Sequence, residues 1–216
     1  MTTPADLRVF LDAAARRPHS VGAIAPSAPQ LCRRLAQIVP RTHVSTVVEL
    51  GAGTGTVSDA IGERLVPGSR HLAIEIDPSL ATRLQGRRPD LEVVVGDAAD
   101  LRAILSERGV DRVDAVVSGL PWSLFPAAAQ QRIMTAVAHV LAPGAGFATF
   151  AYLHALPLAG ARGLRRLLHD TFDEVIASAS VWRNLPPALT YTCRRPTVRS
   201  TWATPCVPTA YPAAHR

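Results

Sequence analysis

The sequence contains no lysine, so its net charge of +6, from 23 basic against 17 acidic residues, is carried by arginine alone. Alanine, arginine, proline and glycine are abundant together, which points to a biased source composition, so the positions of the arginines say more than their number. Arg8, Arg16, Arg17, Arg33 and Arg34 crowd the N-terminal region, and Arg162, Arg165, Arg166, Arg194, Arg195 and Arg199 the C-terminal third. Either group could meet a polyanion or an anionic membrane surface, or solubilise helix faces. No apolar run reaches the roughly eighteen residues that would suggest a membrane span. Thr2 to Asp6 lacks the basic region of a signal peptide, and the apolar run that follows is too short for one. Cys32, Cys193 and Cys206 are odd in number and far apart, without a C-x-x-C or a matching histidine pair. That speaks against a disulfide framework and a zinc site, and the expectation is a cytoplasmic, metal-free protein.

What is present is one core's worth of apolar sequence: 216 residues, 48% hydrophobic, enough for one domain of the doubly wound kind. Residues 44–50 form a continuous apolar, valine-rich run closed by Glu49-Leu50, the mark of a strand buried on both faces. Gly51, Gly53 and Gly55 follow, a pattern that lets the chain turn tightly and brings bare backbone against a ligand. The spacing is E-x-G-x-G-x-G, one residue shorter than the dinucleotide fingerprint and led by an acid. A carboxylate at that point repels phosphate and can accept hydrogen bonds from an ammonium group, which favours a zwitterionic nucleoside such as S-adenosylmethionine.

Two further strand ends fit the same ligand. Residues 71–76 are a second apolar strand ending in Glu75-Ile76-Asp77-Pro78, where an acid in such folds meets ribose hydroxyls. Glu75 is the ribose candidate, and Asp77 reads as the N-cap of the helix begun by Pro78. Residues 91–95 form a third strand ending in Gly96-Asp97-Ala98. Strands and helices continue to alternate through helix 99–107, strand 113–117, helix 127–141, strand 146–152 and helix 161–171, and segments 172–181 and 187–194 read as a closing antiparallel pair. Alternation of this kind means a mostly parallel sheet with helices on both faces and ligands at the carboxyl ends of its strands. Ahead of the sheet, residues 5–17 read as a short amphipathic helix with basic flanks, either a lid packed on the domain or an interfacial anchor. The organisation expected is an N-terminal lid or membrane-contact segment over 1–42, a catalytic domain over 43–195, and a disordered tail over 196–216.

The E-x-G-x-G-x-G turn resembles the first motif of the class I S-adenosylmethionine-dependent methyltransferases. That resemblance implies an α/β Rossmann-like fold with a seven-stranded sheet, S-adenosyl-L-methionine as cofactor and S-adenosyl-L-homocysteine as product. It implies a cofactor site at Glu49, Gly51, Gly53, Gly55, Glu75, Asp97, Ala98 and Ser118, with Asp97 accepting from the adenine amino group and the Ala98 amide donating to the ring. A wider resemblance rests on Val21-Gly22-Ala23-Ile24-Ala25-Pro26-Ser27, Ser118-Gly119-Leu120-Pro121 and Asn184-Leu185-Pro186-Pro187-Ala188. Together these look like the bacterial phospholipid N-methyltransferases, which implies an amine-bearing phospholipid substrate and peripheral attachment at an anionic inner membrane face.

Leu120, Pro121 and Trp122 then become candidates for the substrate side, with Trp122 able to hold a methylated ammonium by cation–π attraction or to wall the cofactor pocket. Arg183 could meet a lipid phosphate, and Asn184 could bind substrate or satisfy backbone. Tyr152 and His154, just past the fifth strand, are the candidate proton acceptors for the substrate amine. Two other readings stay open. The same scaffold could methylate, or use its cofactor to cyclise, a small secondary metabolite. An rRNA adenine N-methyltransferase would carry an Asn or Asp immediately before Leu120-Pro121 to accept the base amine, and this chain has Gly119 there. Nucleic acid is therefore the least favoured partner, and nothing in the sequence speaks to oligomeric state.

Overall fold

A computed structural model describes residues 27–197. Among them, six α-helices and seven strands follow one another as α1 (Pro29–Leu35), β1 (Thr46–Leu50), α2 (Thr56–Gly62), β2 (Arg70–Glu75), α3 (Pro78–Arg87), β3 (Glu92–Val95), α4 (Leu101–Ser106), β4 (Val113–Ser118), α5 (Ala127–Val140), β5 (Leu141–Tyr152), α6 (Ala159–Thr171), β6 (Phe172–Ala177) and β7 (Ala188–Pro196). The strands form one sheet in the order β3-β2-β1-β4-β5-β7-β6. Neighbours from β3 to β5 are parallel, and β7 enters antiparallel between β5 and β6. The Rossmann-like sheet and its closing antiparallel pair thus stand as expected. The expected helix over 5–17, the G-A-I-A-P segment and most of the tail lie outside the described residues.

The valine-rich pattern of β1 follows from cover on both faces. Val47 packs with Leu31, Leu35, Val57 and Ile61 beneath α1 and α2. Val48 and Leu50 point the other way, into a cluster with Leu101, Ile133 and Leu164 from α4, α5 and α6. Each such side chain gains about 1.5–3 kcal/mol from burial, so a polar residue on either face of this strand would forfeit core stability. Strand-to-helix turns are fixed locally as well. Asp77 caps α3, accepting from the backbone N–H of Ser79 at 2.7 Å and Leu80 at 3.1 Å, with Pro78 in the first turn.

Three boundaries differ from expectation: the strand expected over 172–181 stops at Ala177, and two others have a local cause. The helix expected over 99–107 opens with a 3₁₀ turn, Ala98–Asp100, and becomes α-helical only at Leu101, because Asp97 caps that turn by accepting from the Ala99 N–H. Strand β5 begins at Leu141, directly out of α5, and its register against β4 shifts between Leu141 and Gly146 around Gly144 at φ +80°. A bulge there lets the strand start early despite Pro143, whose missing N–H a regular ladder would not tolerate.

Candidate functional site

The strand order reverses between β1 and β4, and the turns leaving these two strands close against each other. Gly51 N–H donates to Ile74 O and Gly119 N–H to Leu50 O, both at 2.8 Å. Gly51, Gly53 and Gly55 hold φ of +71°, +53° and +82°, the left-handed region that side chains disfavour. A Cβ on Gly51 would lie 2.8 Å from Leu120 Cδ2, and one on Gly119 would lie 2.8 Å from Gly51 O. Main chain therefore meets main chain at this switch point, where open α/β sheets hold their ligands. A cavity of about 300 Å³ opens above it, walled by Gly51, Gly53 and Thr54 on one side and by Leu120, Pro121, Trp122, Phe150, Tyr152 and Leu164 on the other.

The three strand-end acids are placed very differently. Glu75 is buried and holds the glycine turn, its Oε2 accepting from Gly53 N–H at 2.8 Å and its Oε1 from Asp77 N–H at 3.0 Å. Each carboxylate oxygen still has a lone pair to offer. Asp97, one strand further out, accepts from Ala99 N–H through Oδ1, while its Oδ2 is buried with no partner among the described residues. Burial pushes the Asp97 carboxyl above the usual aspartate range, against the pull of the Ala99 N–H. None of the three is among the residues lining the cavity, and Glu49 is the most deeply buried of them. It lies 1% exposed under α2, where Oε2 accepts from Ser58 Oγ at 2.7 Å and faces His71 Nε2 at 3.2 Å. The alternation of a strand explains this: Glu49 shares the face of Val47, beneath α2, rather than the strand's open end. Gly55 serves as N-cap of α2, and Ala98, buried, starts the turn after Asp97.

On the opposite wall, Ser118 is fully buried and organises the turn. Its Oγ accepts from Trp122 Nε1 at 3.0 Å and from Leu120 N–H at 3.3 Å. Trp122 is 1% exposed, tilted against Phe125 and edge-on to Phe147, each 6.1 Å away between ring centroids. It is a wall of the cavity, without the open ring face that holding an ammonium requires. Tyr152 lines the cavity and stacks on His154 at 5.6 Å, and His154 itself is exposed outside. Burial pushes the Tyr152 phenol above its ordinary value, which runs against service as a proton acceptor in its phenolate form.

Asn184 is 2% exposed and acts as a clasp: Oδ1 accepts from Ala28 N–H at 2.8 Å, and Nδ2 donates to Pro186 O at 2.6 Å. It pins the loop from Val181 to Pro187 beside α1, leaving Arg183 exposed. The same loop exposes Trp182 and Leu185 at 74% and 78%, and neither stood among the site candidates read from the sequence. Their signal was visible, large apolar residues in a proline-bounded loop. For Thr56 and Leu80, which also line the cavity, no motif marked them.

Known proteins place this geometry in a family. A methyltransferase-domain family model matches residues 47–144. The chain is 38% identical over 192 residues to an ornithine lipid N-methyltransferase of Singulisphaera acidiphila, an alignment spanning 88% of this chain and 96% of that one. It is 29% identical to ribosomal RNA small subunit methyltransferase A of Leptothrix cholodnii, over 42% of this chain and 32% of the other. Among solved structures, the O-methyltransferase TomG of Streptomyces achromogenes has the same fold, with a TM-score of 0.59 and 22% identity over 86% of this chain and 89% of that one. A glycine turn at the β1–β4 switch point, acids closing β2 and β3, and a relative alike over nearly its whole length lead to one conclusion: the chain belongs to the class I S-adenosylmethionine-dependent methyltransferases, and within them it resembles the lipid N-methyltransferases.

Proposed function

We propose that this methyltransferase N-methylates an amine on a lipid-like amphiphile presented at an anionic membrane surface. The observation that carries the reading is the cavity rim. Trp182 and Leu185 stand out to solvent on either side of Arg183. Their loop is tied to the cavity walls at two points, through Asn184 to Ala28 beside Ser27, and through Pro187 O to the Leu153 N–H beside Tyr152. An exposed indole and leucine around one arginine suit the boundary between headgroups and acyl chains. The relationship to an ornithine lipid N-methyltransferase supports the same substrate class.

The residues fit S-adenosylmethionine on two observations: an orphaned acceptor at Asp97 Oδ2, and a turn whose left-handed glycines leave room for a ligand against backbone. When bound, the cofactor supplies an electrophilic methyl group on sulfur. In this reading Glu75 accepts from the ribose hydroxyls while keeping Gly53 in place, Asp97 accepts from the adenine amino group, and Ala98 N–H donates to the ring. The Gly51–Gly53 backbone bounds the amino-acid end, and Glu49 supports α2 and the turn from below. On the acceptor side, Leu120, Pro121, Trp122 and Leu164 exclude water, so the amine arrives desolvated and oriented. Tyr152, as a neutral phenol, accepts a hydrogen bond from that amine and helps aim its lone pair.

Gly119 argues against a nucleic-acid base as acceptor. The Asn or Asp that would receive the base amine has no room for even its Cβ beside Gly51 O. The test is to incubate the protein with methyl-labelled S-adenosylmethionine and a crude extract, then separate lipid, RNA and soluble fractions. Label in the lipid fraction is expected; label confined to the soluble fraction ends the lipid reading in favour of a small metabolite. With vesicles containing anionic lipid, the double variant Trp182→Ala, Leu185→Ala should lose flotation while keeping cofactor affinity.

A further inference from the structure

A second cavity, of about 330 Å³, lies between α6 and the β6–β7 edge of the sheet and shares the wall residue Ala161 with the first. Its lining combines two chemistries. Leu156, Val175 and Leu189 make an apolar floor, and Arg162, Arg165 and His169 project from one face of α6 at helical spacing. Arg162 is engaged, donating to Pro157 O. No carboxylate among the described residues pairs with Arg165 or His169. Tyr191, only 5% exposed, is the buried polar group of the same cavity. Its phenol is pushed up by burial and drawn back down by the Arg165 guanidinium, so the two are electrostatic neighbours.

A hydrocarbon alone would need no arginine here, and a free anion would need no apolar floor. We propose that this second cavity seats an anionic oxygen group, carboxylate or phosphate, of an amphiphile, held by Arg165 with His169 and Tyr191. The inference rests on the lipid-amine reading above for its biological sense: a head group carrying both an amine and an acid would straddle Ala161, with the amine in the first cavity and the acid in the second. Arg165 then sets substrate specificity by requiring that acid, through the forked donor geometry that suits an oxyanion.

The experiment is titration calorimetry on the whole protein at fixed ionic strength, with octyl phosphate, octanoate, octylammonium and inorganic phosphate, the amphiphiles kept below micelle formation. Octyl phosphate and octanoate should bind, and Arg165→Gln should weaken both by about tenfold or more, with Tyr191→Phe a smaller loss. Arg166→Gln, on the same helix but outside the cavity, should change neither, and circular dichroism should show all variants folded. Two results would overturn the proposal. Inorganic phosphate binding as tightly as octyl phosphate would make this a simple surface anion site, and equal losses in Arg165→Gln and Arg166→Gln would reduce it to overall charge. These affinities do not depend on methyl transfer. Failure of lipid methylation with binding intact removes the lipid reading and leaves the anion seat, whereas lipid methylation with unchanged binding in Arg165→Gln removes the seat alone.

Discussion

The wall proposed for the cofactor is made of main chain at Gly51, Gly53 and Gly119, held by the buried carboxylate of Glu75, whereas the wall proposed for the acceptor is made of side chains drawn from the turn after β4, from β5 and from α6. Backbone at the first wall leaves little freedom: left-handed φ and close approach demand glycine, and an acceptor demands an acid. Apolar side chains at the second wall can be exchanged for others of similar volume without loss of fold. The same scaffold can therefore keep one cofactor while changing acceptors, and the contrast predicts graded outcomes when each wall is altered.

The largest effect is expected where the two walls touch. Gly119→Asn would drive a side chain into Gly51 O, costing on the order of 3 kcal/mol or more in stability, visible as a fall in Tm and in the folded yield. A normal Tm would mean that the turns can separate and the main-chain contact is not what shapes the site. Next, Glu75→Ala removes two acceptor oxygens and strands the Gly53 and Asp77 N–H groups, so cofactor affinity measured by calorimetry should fall by about a hundredfold. Binding within a few-fold of the parent would take the ribose role away from Glu75.

Asn184→Ala unfastens the rim loop without touching the cofactor wall. About 1–3 kcal/mol of stability should go, with cofactor affinity preserved, read by denaturant unfolding beside calorimetry. Asp97→Asn should split the two properties. Cofactor affinity should drop by about tenfold, because an amide meets the adenine amine less well than a carboxylate. Stability should rise, since a buried charge is removed. The sign of the pH dependence follows: with a folded pKa above the unfolded one, ionised Asp97 costs stability above its folded pKa, and the cost fades as pH falls from there to the ordinary aspartate value. The Tm advantage of the variant should shrink over that same interval, and an advantage that grew on acidification would contradict the burial account. The smallest effect belongs to Tyr152→Phe, which should keep kcat within about threefold, whereas loss of a true general base would cost 10²-fold or more.

How much was legible in advance depended on whether a residue's job was local. Asp77 as a helix cap, Gly51 to Gly55 as a turn, and the order of alternating elements all follow from spacing and short-range chemistry, and the structure agrees with each. Glu49 was legible as an acid at a strand end but not in its direction. Strand alternation turns it under α2 toward Ser58 and His71, and only the pairing of β1 with β2 brings His71 there. Trp122 and Asn184 were legible as unusual residues in a substrate region, yet their surroundings make one a core wall and the other a clasp.

Local rules thus carried the cofactor and the sheet, because glycine conformation, strand burial on both faces and helix capping act within a few residues of the chain. The walls that meet the acceptor are a different matter. Tyr152 in one cavity with Leu120, Arg165 beside Tyr191, and Asn184 clasped to Ala28 bring distant segments together, set by the sheet order and by the antiparallel entry of β7 between β5 and β6. Packing of that kind is decided only when the elements assemble, since no short stretch of sequence contains both partners.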